Sequence, residues 1–165
     1  MKQIFLFVLA LALFSCNSPQ SVSLDEAYEL DDLLVVAEHN VDSTVTVMGY
    51  VTHTCKHSGM KCFIVGESQK VSFQVLADGE ISGFSPELEG SKLAITGVLK
   101  EHHLSSESIN AKESNALELQ HQEGMAEACA AELSNVEEMR AWMLEHDKDH
   151  YVMYYMEGLK YEVVD

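Results

Sequence analysis

Proline and glycine are scarce in this chain, two and nine among 165 residues. That excludes a collagen-like or low-complexity polymer. Basic residues are also few: ten Lys and Arg stand against 27 Asp and Glu, a net charge of −17. Lys2 is the only base before Cys16 and no acid precedes it, so nine bases face 27 acids beyond Cys16, near −18. A field of that sign repels nucleic acid and anionic lipid headgroups. It suits cationic ligands, metal ions or basic protein patches, and it keeps an exported protein soluble. Catalytic signatures are missing too. The chain has no G-x-S-x-G, no H-E-x-x-H, no phosphate-cradling loop and no C-x-x-C. Its many carboxylates show no spacing that marks an acid–base pair. The expectation is a non-enzymatic protein that binds something.

The one long apolar run is Ile4 to Phe14, eleven residues behind the positive start Met1-Lys2-Gln3. It is too short to span a bilayer and suits the core of a signal peptide. Leu13-Phe14-Ser15-Cys16 follows. This resembles the bacterial lipobox, with Leu three places before a lipidated Cys and a small residue just before it. The resemblance implies cleavage after Ser15 and acylation of Cys16, whose buried acyl methylenes contribute about 0.8 kcal/mol each to membrane attachment. An ordinary secretory leader with a chance cysteine is the plain alternative. Asn17 follows with no acidic run, which points to the periplasmic face of the outer membrane. Residues 1–15 are thus read as a lipoprotein signal peptide and 16–22 as a lipid-anchored tether.

Residues 23–101 read as a helix followed by a β-barrel. Ser23 and Glu26 form a capping box, and Leu24, Ala27, Tyr28, Leu34 and Val35 recur at helical spacing, predicting a helix over 24–38. Strands follow over Thr44–Thr52, Cys62–Gly66, Val71–Val75 and Lys92–Lys100, with a Gly- and Pro-bearing connection over 77–90. Ser43 to Val51 echoes Ser91 to Leu99 in character, each with a glycine (Gly49, Gly97) six residues after its serine. Such a glycine permits the bend or bulge that a small closed barrel needs. Two such strands look like the first and fourth of an OB-fold. An SH3-like barrel or an open meander also fits.

Residues 102–165 read as a helical extension ending in a β-hairpin. The chain is polar to 123 and helical from about Leu117. A second capping box, Ser134 with Glu137, predicts a new helix from Asn135. Tyr151–Met156 and Leu159–Val164, around Glu157-Gly158, predict a tight terminal hairpin. That hairpin would complete the barrel, extend its sheet or pair with another chain. The expected class is therefore α+β, mainly β, with an OB-like barrel, an N-terminal helix, C-terminal helices and a terminal hairpin.

The densest chemistry lies at His53, Cys55, His57 and Cys62, with Met60 beside them. Two imidazoles and two thiols suffice for a tetrahedral zinc or copper site. In a strand His53, Cys55 and His57 would share a face, and Met60 would add a thioether for monovalent copper. Haem ligation is a variant, although C-x-x-C-H is missing. Equally, Cys55 and Cys62 flank a turn, and in an oxidising compartment a disulfide would pin the loop. Free or redox-active thiols are the third reading. Cys129, among alanines, reads as a small core residue or a third thiol. His102 and His103 read as solvated, and His146 and His150 around Asp147 and Asp149 as an auxiliary cation site. The tail tyrosines read as hairpin packing.

Taken together, Cys16, the Gly49 and Gly97 strands and the Cys55–Cys62 hairpin resemble the small OB-fold lipoproteins of Gram-negative bacteria. The resemblance implies a membrane-anchored module for a small ligand or protein partner.

Overall fold

The computed structural model describes residues 24–164. Its centre is a closed five-stranded barrel. The strands are β2 (Thr44–Thr54), β3 (Lys61–Val65), β4 (Phe73–Ala77), β5 (Lys92–Ser105) and β6 (His150–Val164), in the order β2-β3-β4-β6-β5 with β5 returning to β2. Only β4 and β6 run parallel within it. This order is compatible with an OB-like barrel. A two-residue strand, β1 (Tyr28–Glu29), lies alongside Val47 and Met48 of β2.

The echoed segments are direct neighbours. β2 and β5 pair antiparallel, with Val45 opposite Gly97 and Gly49 opposite Leu93. Both glycines mark close approaches: a Cβ on Gly49 would meet Ile64 Cδ1 at 3.0 Å, and one on Gly97 would meet the Glu157 carbonyl and Met156 Cγ. Inward residues at period two, including Val47, Val51, Cys62, Ile64, Phe73, Val75, Leu93, Ile95, Leu99 and Met156, fill the core.

Four sequence expectations change. The N-terminal helix is not continuous. A 3-10 turn (Leu24–Glu26), β1, α1 (Leu30–Val36) and another 3-10 turn (Ala37–His39) replace it. β3 leaves β2 at Tyr50, so the edge at Val47 and Met48 is open to Tyr28 and Glu29. Leu30, Leu33 and Ala37, at helical spacing, then pack into the core, while Val35 is 84% exposed.

The fourth barrel strand runs five residues past Lys100, because β6 pairs with it from Lys92 to Ser105. A helix, α2 (Ser106–Leu119), begins at once, its first turn capped by Ser105 Oγ accepting from Ser108 N at 3.2 Å. The second capping box starts no helix. α3 (Ala126–Glu145) passes straight through it. Cys129, before the box, and Val136, within it, are both buried, as are Ile109 and Ala116 on α2, so one continuous face packs the two helices together. Lys112 to Glu132, and Arg140 to Glu113 and Asn110, tie them side by side.

There is no terminal hairpin. β6 is one 15-residue strand. A two-residue hairpin turn needs positive φ, and Gly158 is not among the positive-φ residues. It instead lies opposite Gly97, and the register jumps from Gly158 to Lys160, so Leu159 is bulged. The tail thus supplies the fifth barrel strand, and α2–α3 is an insertion between the fourth and the fifth. Among the described residues no helix is long and apolar enough to cross a membrane.

Candidate functional site

The hairpin read as a metal or disulfide site is a tight turn. β2 ends at Thr54, Cys55 N donates to Lys61 O (2.9 Å), and Gly59, at φ +65°, donates to Cys55 O (2.7 Å). The strand therefore stops before Cys55 and His57 can join His53 on one strand face. Cys62 points into the core and is fully buried, and burial pushes its thiol up to about 12. Cys55 is half-buried. Its sulfur accepts from the Ser58 hydroxyl at 3.5 Å, and that bond, with the backbone N–H groups of Ser58 and His57, holds its pKa below the ordinary thiol value. His53 turns outward over Phe63, ring centroids 6.1 Å apart, with Glu89 at 3.6 Å. His57 and Met60 are exposed. Cys55, Cys62 and Cys129 are free, the last buried between α2 and α3. Among the described residues no three His, Cys, Asp or Glu side chains are grouped to hold a metal ion. Cys16 lies outside the described residues.

The better-formed concavity lies further along the same outer face of the barrel. β4 begins at Phe73, and its register with β6 starts at Gln74 opposite Tyr155. β6 itself begins at His150 and runs with β5 alone up to that point. The two parallel strands thus part at Tyr154, and the seam opens into a two-lobed groove. One hollow, about 300 Å³, lies between Leu34, Val71, Met139, Trp142 and Tyr151. The next, about 320 Å³, lies over Phe63, Gln74, Leu76, His102 and Tyr155. Ser72, Met153 and Tyr154 line both.

The register explains the floor. His53, Phe63, Gln74, Tyr155 and Lys100 are successive partners across the barrel strands, so one row of side chains crosses the sheet. The helix α3 supplies the wall. The Trp142 ring stands edge-on to Tyr151 at 5.2 Å and stacks on His146 at 4.2 Å. Val71 and Met153 are each almost half exposed, unusual for large apolar side chains gathered in one place. Burial raises the phenol pKa of Tyr151 and Tyr154, and the carboxylates of Glu138 at the first and of Glu38 and Glu101 at the second add to the rise.

Behind Trp142 and Tyr154 lies a polar basin of about 250 Å³. The His103 and His150 rings stack there at 4.1 Å. Glu101 lies 3.0 Å from His103, Asp149 lies 2.7 Å from His150, and Lys148 bonds Glu38 at 3.1 Å. Each imidazole has its own carboxylate, and the stacked rings do not converge on a common point. His103 is thus no isolated solvated residue but part of a basin wall.

Sequence reasoning missed Trp142, the sole tryptophan, and treated the tail tyrosines as packing. The available signal was Tyr151, Met153 and Tyr155 at alternate positions: three large residues on the outward face of a strand that points Val152 and Met156 inward. Compared with models of known protein families and with curated proteins, the sequence matches none.

Proposed function

We propose that this chain is a lipid-anchored, exported binding module without catalytic activity, and that the seam groove is its site. The observation that carries this reading is the parting of β4 and β6 at Tyr154, which leaves Trp142, Tyr151, Met153 and Tyr155 around two joined apolar hollows. Concave, mostly apolar sites with a few polar groups are where small ligands and peptides bind, and Gln74, Ser72 and His102 are such groups here. The lipobox resemblance at Cys16 supports a membrane-tethered setting at the periplasmic face of the outer membrane. The alternative, zinc-, copper- or haem-handling at His53, Cys55, His57 and Cys62, gains no support from a Cys62 turned into the core.

The test uses N-phenyl-1-naphthylamine as an uncharged apolar probe and the emission of Trp142 as the reporter. Saturable binding near one probe per hollow is expected. Met153→Lys, at an exposed position shared by both hollows, weakens it about tenfold, or about 1.4 kcal/mol. A probe signal that does not saturate, or one that Met153→Lys leaves unchanged, sinks the assignment of the groove. Mass spectrometry of envelope protein, showing acylated Cys16 or an unmodified terminus, decides the anchor separately.

A further inference from the structure

The groove also leaves a strand edge open. β6 pairs with β5 from His150 to Val164, whereas β4 covers its other side only from Tyr155 to Gly158. In an antiparallel ladder alternate residues turn N–H and C=O away from the partner strand. Between His150 and Tyr154 those groups face the seam, where no strand of the described residues lies. Such an edge is a template for another strand unless lysine, proline, a bulge or a covering helix blunts it, and here a hollow separates Met139 and Trp142 of α3 from Tyr151. The segment His150-Tyr-Val-Met-Tyr154 has neither lysine nor proline, and the bulge of β6 lies further along, at Leu159.

We infer that an extended segment of a cationic, apolar-rich partner protein docks here by strand addition, pairing with β6 over His150–Tyr154 and setting alternate apolar side chains into the two hollows. The inference rests on the groove being the binding site and names its occupant. Same-face side chains of a strand stand about 6.6 Å apart, which suits two hollows that adjoin through Ser72, Met153 and Tyr154. Main-chain bonds to β6 would supply affinity and the hollows specificity.

The hollows themselves are lined by no carboxylate, and the sign of the partner follows from the charges around them. The inserted helices and their connection, residues 106–145, hold nine glutamates against Lys112 and Arg140. Glu138, Glu38 and Glu101 act on the groove tyrosines themselves, while the bases nearby are Lys70, next to Val71, Lys61, opposite Leu76, and Lys100, opposite Tyr155 and already paired with Asp42. A second copy of the chain would bring another −17 to the same face. The chain's own tether, residues 16–22, offers Val22 as its one large aliphatic side chain and so fills one hollow at most.

The test uses the full exported chain and an acetylated, amidated heptapeptide of alternating lysine and leucine. Saturable change in Trp142 emission is expected, with amide exchange at Tyr151–Met153 slowed about tenfold or more. Met153→Lys, folded by circular dichroism, and a glutamate–leucine peptide each bind at least about tenfold more weakly. N-methylation of alternate peptide amides abolishes binding in one register and spares it in the other. Equal binding of both methylated registers, or of the glutamate peptide, overturns the inference. So does a groove-dependent dimer in sedimentation. If N-phenyl-1-naphthylamine binds and the peptide does not, strand addition fails while the groove survives as a small-ligand site. If neither binds, both readings fail.

Discussion

Cys55 and Cys62 are seven residues apart and sit in opposite environments. A thiolate at Cys62 would have to form inside the core, against Ile64, Phe73 and Val75, with the Glu89 carboxylate opposing it as well. At Cys55 three hydrogen-bond donors favour the thiolate, first the Ser58 hydroxyl and then two backbone N–H groups, and the Lys61 charge adds to them. Iodoacetamide should therefore alkylate the native protein once, at Cys55, between pH 7 and 8, with Cys62 and Cys129 labelled only after unfolding. The pH–rate profile for Cys55 should have its midpoint below that of an ordinary free thiol measured alongside it. Ser58→Ala removes the leading cause and should move that midpoint up. Labelling of Cys62 before Cys55, or a profile indifferent to Ser58, refutes this account. The sign for folding follows too. A folded pKa below the unfolded one adds stability at pH above the unfolded value, whereas Cys62, raised to about 12, withdraws stability as pH climbs past the unfolded thiol value.

At the scale of elements, the glycines decide where strands meet. Gly97 and Gly158 face each other where β5 crosses β6, and a Cβ on Gly97 would lie 2.6 Å from Met156 Cγ and closer still to the Glu157 carbonyl, a backbone atom that cannot swing away. Gly97→Ala should therefore lower stability by about 1–3 kcal/mol, the usual cost of overpacking, read as a fall in the urea midpoint. Gly90→Ala, with open space around its Cβ but a φ of +90°, separates backbone strain from crowding. The barrel was legible because it rests on such local marks: period-two apolar residues in β2 and β5, and one glycine in each. The class of the tail was legible and its topology was not. Glu157-Gly158 suits a turn or a bulge equally, and the choice is made by Gly97, 61 residues away. The capping box at Ser134 failed for a related reason. It describes what a helix start needs, and says nothing when the preceding residues are already helical and Cys129 and Val136 bury one continuous seam. The candidate site was the least legible part. A groove made where two strands part depends on registers, and no single segment carries it.

Across the whole molecule the governing fact is the excess of acid. Acids outnumber Lys and Arg 27 to ten, and ion pairs such as Lys100–Asp42 and Lys148–Glu38 are surface contacts that add little to stability. The unpaired remainder repels itself, which destabilises the compact state. Raising sodium chloride from 0.01 to 0.15 M shortens the screening length from about 30 to about 8 Å. Both the pairs and the repulsion weaken, but the repulsion involves more charges at longer range and loses more. The melting temperature should therefore rise with salt, by about 2–4 °C for each kcal/mol of repulsion relieved in a chain of this size. Binding of the lysine–leucine peptide should move the other way, because the same screening removes its attraction to the net negative charge of the protein. Calorimetry of the free protein and a Trp142 titration, run over one salt series, give the two slopes. Opposite signs are expected. A melting temperature that falls with salt would mean that the ion pairs outweigh the net charge, and peptide affinity indifferent to salt would remove charge from the argument for a cationic partner.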